Sequence, residues 1–406
     1  MRLTLLNQFY PPDLAPTGQL AASLAIHRAG LGDQVTVFTG RGSYVPESQS
    51  DHAASAANPH VHRLWTPSLG KSTLAARLID YACFHLAAAI HMLILPRQDV
   101  IICLTTPPFI AWAAALHRWL HPATRLILWN MDCYPEALIR AGLIPEHGRI
   151  ARLLRWQNRL LFRQLSNVIC LDAAMAQLLS SHYIPDSSVL PATVIPNWEP
   201  VERFAAADLA QRWFLGERLA SESRLCVLHV GNTGYGHSFE TIVEASEQLR
   251  EDPVAFVFVG GGERWSWLEA AKRERALAHW HLIRYLPEGQ LKAAMASAGC
   301  ALITLRDSFL GIISPSKLHA ALAMALPILY VGPEGGNVDE AIRRFDCGVS
   351  LRHGNAEGVV NFIRRLRSDA DYAGGLRQRA RQAFERDFSD QQALPAFDRV
   401  IGGLAG

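Results

Sequence analysis

The chain has 406 residues, 50% of them hydrophobic and 19% charged, which is length enough for two domains of ordinary size. A formal net charge of +2 excludes a nucleic-acid binder that works by bulk charge. Seven scattered Cys with no CxxC pair and 16 His with no HExxH spacing exclude a disulfide framework and a zinc site, and read as reduced thiols in a cytoplasmic protein.

The opening, MRLTLLNQF, runs straight into an apolar strand at Leu3–Leu6 and lacks the apolar length and cleavage site of a signal peptide. Strands are predicted next at Val35–Thr39, Val61–Trp65, Val100–Leu104, Leu126–Trp129 and Val168–Leu171. Two uncharged stretches, YACFHLAAAIHMLIL (81–95) and VIICLTTPPFIAWAAALH (100–117), invite comparison with membrane spans. The first is short and holds two His, and the second is broken by Thr-Thr-Pro-Pro. They read as a buried helix, then a buried strand and helix. RIARLLRWQNRLLFRQL (149–165) spaces Arg149, Arg152, Arg155, Arg159 and Arg163 three or four apart, on one helix face, with Leu153, Leu154, Trp156, Leu160, Leu161 and Phe162 as the apolar side. Such a helix either lies on an anionic membrane surface or presents a solvated face.

The pattern pauses at 194–224, a polar stretch that starts with Pro-Asn and reads as a linker. Strands resume at Leu225–Val230, Ala255–Val259, Leu282–Ile283, Cys300–Leu305, Pro327–Val331 and Gly348–Leu351. Most strands are continuous apolar runs, the mark of parallel strands buried on both faces, and helical patterns separate them. The predicted fold is α/β, two Rossmann-like, doubly wound parallel-sheet domains. The first spans 1–196; linker and second domain span 197–388; a closing helix at about 389–406 packs back on the first.

Candidate site residues lie where strands end. The first strand leads to a helix near Thr17 and Gly18, where a glycine lets a ligand approach the backbone and free N–H groups meet an anion. A GxGxxG fingerprint is absent, which argues against a dinucleotide. Gly231-Asn232-Thr233-Gly234-Tyr235-Gly236 and the Gly260–Gly262 turn each either cradle a phosphate or relieve crowding, and His237 is either a phosphate donor or a surface residue. Asp132 and Glu136 follow a strand end, either reaching a ligand as base or orienting group, or serving the next helix as N-cap and first-turn acid. In SPSKL, Ser314 reads as N-cap and Pro315 as first helical residue, which puts Lys317 in the first turn, where a cation opposes the helix dipole. A diphosphate there would make the placement favourable, with Arg306 as a second cation.

Together these residues resemble the GT-B glycosyltransferases of family 4, in the branch of colanic-acid and O-antigen, fucosaminyltransferase-like transferases. The likeness is carried by YPPDLAPTGQ (10–19), TTPP (105–108), MDCYPE (131–136), VIPNW (194–198), GNTG (231–234), TLRDS (304–308) and SPSKL (314–318). The resemblance implies an active-site cleft between two domains, a nucleotide-sugar donor held mainly by the second, retention of anomeric configuration, and neither metal nor cofactor. It places Gly18, Gly231, Asn232, Ser316 and Lys317 at the donor and Asp132 on the acceptor side; Thr17, Arg306 and Ser314 from the strand-end reading join the donor candidates, and Glu136 the acceptor side. The implied partners are the donor and a lipid-linked or polysaccharide acceptor, with peripheral contact at the inner face of the cytoplasmic membrane and no nucleic acid. Where relatives read RDLWPE, this chain has Met131, Cys133 and Tyr134; where they carry the glutamate that holds the donor ribose it has Ala320, and Ile312 replaces its usual partner. Asp339 or Glu340 is the expected substitute. The rival readings are a nucleotide-binding homologue with impaired catalysis, which Ala320 favours, and a sugar-nucleotide epimerase.

Overall fold

The computed structural model describes residues 1–13, 15–41, 58–67, 74–184, 190–204 and 213–403. It divides into two compact units, Met1–Ile195 with the stretch from Leu394, and Pro196–Ala393. Part of the predicted linker (205–212) and the last three residues of the closing segment lie outside the described residues.

Unit 1 is built on seven parallel strands, β1 (Arg2–Leu6), β2 (Gln34–Gly40), β3 (His60–Leu64), β4 (Val100–Leu104), β5 (Arg125–Trp129), β6 (Asn167–Cys170) and β7 (Ala192–Val194), in the order β3-β2-β1-β4-β5-β6-β7. Its helices are α1 (Pro16–Gly30), α2 (Leu74–Ile94), α3 (Ala111–Leu120), α4 (Glu136–Arg140), α5 (Arg149–Phe162) and α6 (Ala173–Tyr183). The apolar runs explain the sheet: all five residues of β4 are buried, as apolar strands with helices on both faces must be. Asp172 caps α6 by accepting from the Met175 N–H at 2.8 Å, a contribution of about 1 kcal/mol.

Unit 2 has six parallel strands, β8 (Leu225–Asn232), β9 (Val254–Gly261), β10 (Trp280–Ile283), β11 (Cys300–Thr304), β12 (Ile328–Val331) and β13 (Gly348–Leu351), ordered β10-β9-β8-β11-β12-β13. Its helices are α7 (Phe214–Ser221), α8 (Glu240–Gln248), α9 (Trp265–Glu274), α10 (Glu288–Ala296), α11 (Lys317–Ala323), α12 (Asn337–Phe345), α13 (Ala356–Ser368) and α14 (Ala370–Ala383). The closing helix α15 (Asp390–Gly402) starts in unit 2, and from Leu394 onward it belongs to unit 1. There Phe397 meets Trp129 edge-on at 4.5 Å, and the Arg125 guanidinium donates to the carbonyls of Val400 and Ile401 at 2.7 and 2.6 Å.

Three expectations change. The helix over 81–95 is not buried all round. Phe84, Ala88 and Met92 are fully buried, but Leu86 and Ile90 on the other face are 65% and 50% exposed. No described helix is long and apolar enough to cross a membrane. Helix α11 begins at Lys317, so Ser314 is not its N-cap; the preceding turn closes by i+3 bonds from the N–H groups of Leu318 and His319 to the carbonyls of Pro315 and Ser316. Along α5, Leu153 and Trp156 lie exposed beside the arginines, and only Leu161 and Phe162 of the expected apolar side are fully buried.

Candidate functional site

In unit 2 the chain order reverses at β8, with β9 and β10 to one side and β11 to β13 to the other. Beyond the carboxyl ends of the strands at such a reversal, open α/β sheets bind ligands. Gly231 and Asn232 end β8, Arg306 follows β11, and Lys317 opens α11. Gly231 takes φ +105°, a conformation that side chains resist, and a Cβ added there would lie 3.6 Å from Lys317 Cε.

Lys317 is the centre of this group. Its Nζ donates to the Asn232 carbonyl at 3.0 Å and to His237 Nε2 at 2.9 Å. His237 Nδ1 in turn sits 2.8 Å from the Thr304 carbonyl. A carbonyl only accepts, so Nδ1 carries the proton and Nε2 offers its lone pair to the lysine. Burial, then the charge of Lys317 and the nearby His229, pushes His237 well below the ordinary histidine value and holds it neutral. The Lys317 side chain keeps partial solvent access, yet its ammonium is enclosed enough that burial pushes it down to about 7. Among the described residues no carboxylate pairs with it. An ammonium has three donors; two meet neutral acceptors and the third is available to an anion.

Arg306 adds a second cation. Its guanidinium makes no hydrogen bond or ion pair among the described residues, while its N–H donates to the Gly236 carbonyl at 2.7 Å. Burial, then the charge of Arg264, pulls Arg306 below the usual arginine value. Arg264, which the sequence reading passed over, lies over the Trp267 ring at 4.4 Å and donates to Glu240 at 2.6 Å. Burial pushes Glu240 up, but its bonds with Ser238 and Arg264 outweigh that and hold it at about 2. Arg264 is therefore neutralised, while Lys317 and Arg306 have no carboxylate partner among the described residues.

Other expected residues divide. Ser316 is exposed at the α11 N-cap but makes no capping bond, and the Ser314 hydroxyl is enclosed without a partner. Asp339 is no substitute for a ribose-holding glutamate. It is 1% exposed, and its carboxylate is taken by the Gly335 N–H at 2.9 Å, the Ser350 hydroxyl at 2.5 Å, Arg352 at 3.3 Å and Arg343 at 3.2 Å. Glu340 is exposed in the first turn of α12.

In unit 1, Thr17 is half-buried in the first turn of α1, and Gly18 has a packing role of its own. A Cβ there would lie 3.0 Å from the Phe9 carbonyl carbon, so glycine lets α1 close on the loop after β1. Glu136 is not free for an acceptor. It is 4% exposed, and one oxygen accepts from the Tyr183 hydroxyl at 2.6 Å and from Arg155 at 3.1 Å, which ties α4 to α6 and α5. Arg155 is thereby turned inward, away from the expected arginine face. Asp132 is different. Its N–H donates to the Thr105 hydroxyl at 3.2 Å, but no described group bonds its carboxylate, and burial pushes it up to about 6. It lines a cavity of about 30 Å³ with Thr105, Phe109, Asn130, Tyr134 and Asn158, room for a water or two. A carboxyl group that titrates near neutrality can hold or move a proton at working pH.

The residues missed were His237 as the lysine's holder, Thr304 and Arg264. One signal was present: His229 in LCVLHVGN and Thr304 in CALIT are polar positions inside otherwise apolar strands, and both are fully buried.

A family model described as a glycosyl transferase 4-like domain matches residues 17–198, and one described as glycosyl transferases group 1 matches 224–369. A probable glycosyltransferase, WbjE of Pseudomonas aeruginosa, is 23% identical over 76% of this chain and 75% of its own. A putative colanic acid biosynthesis glycosyl transferase, WcaI of Escherichia coli, is 24% identical over 80% of this chain and 81% of its own. Among solved structures, sucrose-phosphate synthase from Thermosynechococcus elongatus superposes with a TM-score of 0.72 at 14% identity, covering 99% of this chain and 98% of its own. HepE of Anabaena, solved with UDP and glucose, gives 0.70 at 15% identity and covers all of both chains. WaaG, involved in lipopolysaccharide biosynthesis, gives 0.66 at 16% identity, covering 99% and 100%. The fold is that of GT-B proteins.

Two stability predictions follow from the charges. Below pH 7 Lys317 is protonated in folded and unfolded chains alike, and only the folded one bears the desolvation cost. From about 7 to its ordinary 10.5 the unfolded chain binds more protons, so this cost fades as pH rises. Relative to the parent, Lys317→Met is then more stable at pH 6 than at pH 9 in thermal unfolding; a pH-independent difference would mean a solvated ammonium. For Asp132 the folded chain binds more protons between 3.8 and about 6, and the cost is complete above that window. The gain in unfolding midpoint on Asp132→Asn should be largest at pH 7 and vanish near pH 4.

Proposed function

This chain belongs to the glycosyltransferases that join a 4-like domain to a group 1 domain, and from that premise we propose the reaction it performs. It moves a sugar, with retention and without a metal or other cofactor, from a nucleotide-diphosphate sugar to a lipid-linked glycan in cell-surface polysaccharide synthesis. The acceptor makes it a peripheral protein at the inner, cytoplasmic face of the membrane. The observation that carries the donor half is the Lys317 ammonium at the unit 2 strand reversal, partly enclosed, held by two neutral acceptors and without a counter-ion among the described residues. Burying a cation without a partner is costly, and a bound diphosphate removes that cost. Glycosyltransferase relatives named for colanic acid and lipopolysaccharide support the polysaccharide setting, and HepE, solved with UDP, makes uridine nucleotides the first donors to try.

In this reading the bond from the anomeric carbon to the phosphate oxygen breaks while the acceptor oxygen bonds that carbon on the same face, and the hydroxyl proton passes to the leaving phosphate. Lys317 and Arg306 stabilise the charge that grows on the diphosphate. In unit 2, Gly231, Asn232, Ser314, Ser316 and Glu340 complete the donor surroundings; Thr17 and Gly18 are unit 1's own candidates for phosphate contact. Asp132 accepts a hydrogen bond from a neighbouring hydroxyl of the acceptor and so orients the reacting one. A second reading, a nucleotide-binding homologue that does not transfer, is favoured by Ala320 alone.

The phosphates of a nucleotide sugar do not titrate near neutrality, so the lysine sets the pH profile. Donor affinity, read by calorimetry, is level below pH 7 and falls up to about tenfold per unit above it, as the free ammonium loses its proton. Lys317→Ala should cost roughly 1.5–3 kcal/mol at pH 6.5 and flatten the profile. Unchanged affinity in that variant would remove Lys317 from the site.

The ribose supplies the second experiment. Ala320→Glu should tighten donor binding roughly tenfold to a hundredfold, and Glu340→Ala should weaken it. If neither variant changes the affinity for any of UDP-, GDP- or TDP-sugars and no sugar is transferred, the non-transferring reading prevails.

A further inference from the structure

We propose that the outer surface of α2, α3 and α5 in unit 1 docks on an anionic lipid bilayer, with α2 lying in the interfacial plane. The proposal deepens the membrane part of the function above and needs nothing from the donor site.

On α2, Leu78, Leu86, Ile90 and Ile94 are 56%, 65%, 50% and 74% exposed. They stand four or eight residues apart, with the exposed Ala82 filling the gap, so they form one stripe along the helix. Helix α2 packs against α3, whose Trp119 is 57% exposed, and α3 packs against α5. The outer face of α5 shows Ile150, Leu153 and Trp156, each more than half exposed. Single exposed apolar residues are ordinary, but a run of them over three neighbouring helices is not.

The charge on this surface identifies the occupant. Arg149, Arg152, Arg159 and Arg163 are exposed among the apolar residues of α5 and at its end, and Arg97 is exposed just past α2. Helices α3 and α5 contain no acidic residue, and α2 contains one, Asp80. A second copy docked here by two-fold symmetry would set these arginines against themselves, which disfavours a dimer. An anionic bilayer satisfies both features at once, with aliphatic side chains among the acyl chains and tryptophans and arginines at the headgroups. No described helix is long and apolar enough to cross the membrane, which leaves α2 to lie along it.

The full chain, free of substrates, is tested by flotation with phosphatidylglycerol–phosphatidylethanolamine vesicles and with neutral phosphatidylcholine vesicles. The parent should bind the anionic vesicles, bind the neutral ones much less, and release with salt. Arg152→Glu with Arg159→Glu should weaken binding at least about twentyfold, given roughly fivefold per arginine. Leu86→Gln with Ile90→Gln should weaken it at least tenfold while the unfolding midpoint stays unchanged. Failure of the parent to bind at low salt, or binding indifferent to both pairs, overturns the proposal. A concentration-dependent dimer that the Leu86/Ile90 pair dissolves, with no vesicle binding, overturns it in favour of a second copy. Nucleotide-sugar binding without vesicles is a separate readout: its loss alongside intact vesicle binding would sink the transferase reading and leave the surface standing.

Discussion

A partly enclosed ammonium ion held by two neutral acceptors is the constraint around which unit 2 is arranged. Lys317 could be neutralised cheaply by a carboxylate, as Arg264 is by Glu240, and instead it meets a carbonyl and an uncharged imidazole. The imidazole is fixed by a strand: His237 gives its Nδ1 proton to the Thr304 carbonyl, so only the lone pair of Nε2 is left to face the lysine. Protonating His237 would place two cations within hydrogen-bond distance, which is why its neutrality and the lysine's charge belong to one device. The carbonyl of Asn232 is delivered by the end of β8, next to a glycine at positive φ. Lysine, loop and strands β8 and β11 thus form a charged socket whose positive charge meets no carboxylate among the described residues.

The sheet order decides where that socket lies. A doubly wound sheet leaves a crevice where successive crossovers turn in opposite directions, and only the loops beside the reversal border it. In unit 2 those loops follow β8 and β11, and they supply Gly231, Asn232 and Arg306. In unit 1 the corresponding reversal lies between β1 and β4, and there the two loops are joined by the Gln8 N–H, which donates to the Thr106 carbonyl at 2.9 Å. The functional candidate of unit 1 sits one strand further along, at Asp132 after β5. The same fold therefore presents a cationic edge in one unit and an acidic one in the other.

The sequence made the sheets legible because continuous apolar runs have few other uses in a chain of this composition: each of the twelve predicted strands is present. The strand it missed, β7, has three residues, none of them buried, lies at a sheet edge and offers no apolar run to detect. Lys317 was legible as an anomaly, a cation in a helix's first turn. Its holder was not, since His237 lies 80 residues away and a loop histidine carries no periodic signal. Glu136 and Asp339 were misread for a shared reason. A carboxylate near a helix start looks available in sequence, but whether arginine and hydroxyl partners from other elements consume it is settled only by tertiary packing. The α2 stripe escaped because composition records how apolar a helix is and not which side the sheet covers.

Burial pushes Asp132 up to about 6 and Lys317 down to about 7, so both carry most of their charge together only in a narrow band near neutrality. Each shift comes from desolvation, and each is reversed by the ligand the residue is proposed to meet. A diphosphate beside Lys317 favours the ammonium and raises its pKa, so donor binding above pH 7 takes up a proton. A hydroxyl donating to Asp132 favours the carboxylate and lowers its pKa, so acceptor binding below pH 6 releases one. Substrate binding then widens the band from both sides, and the free protein pays in stability for charges that the substrates complete. The two charges and the apolar face on α2 follow one rule: each is unfavourable in the isolated chain, and each becomes favourable beside its complement, a diphosphate for the ammonium, a hydroxyl donor for the carboxylate and acyl chains for the apolar stripe.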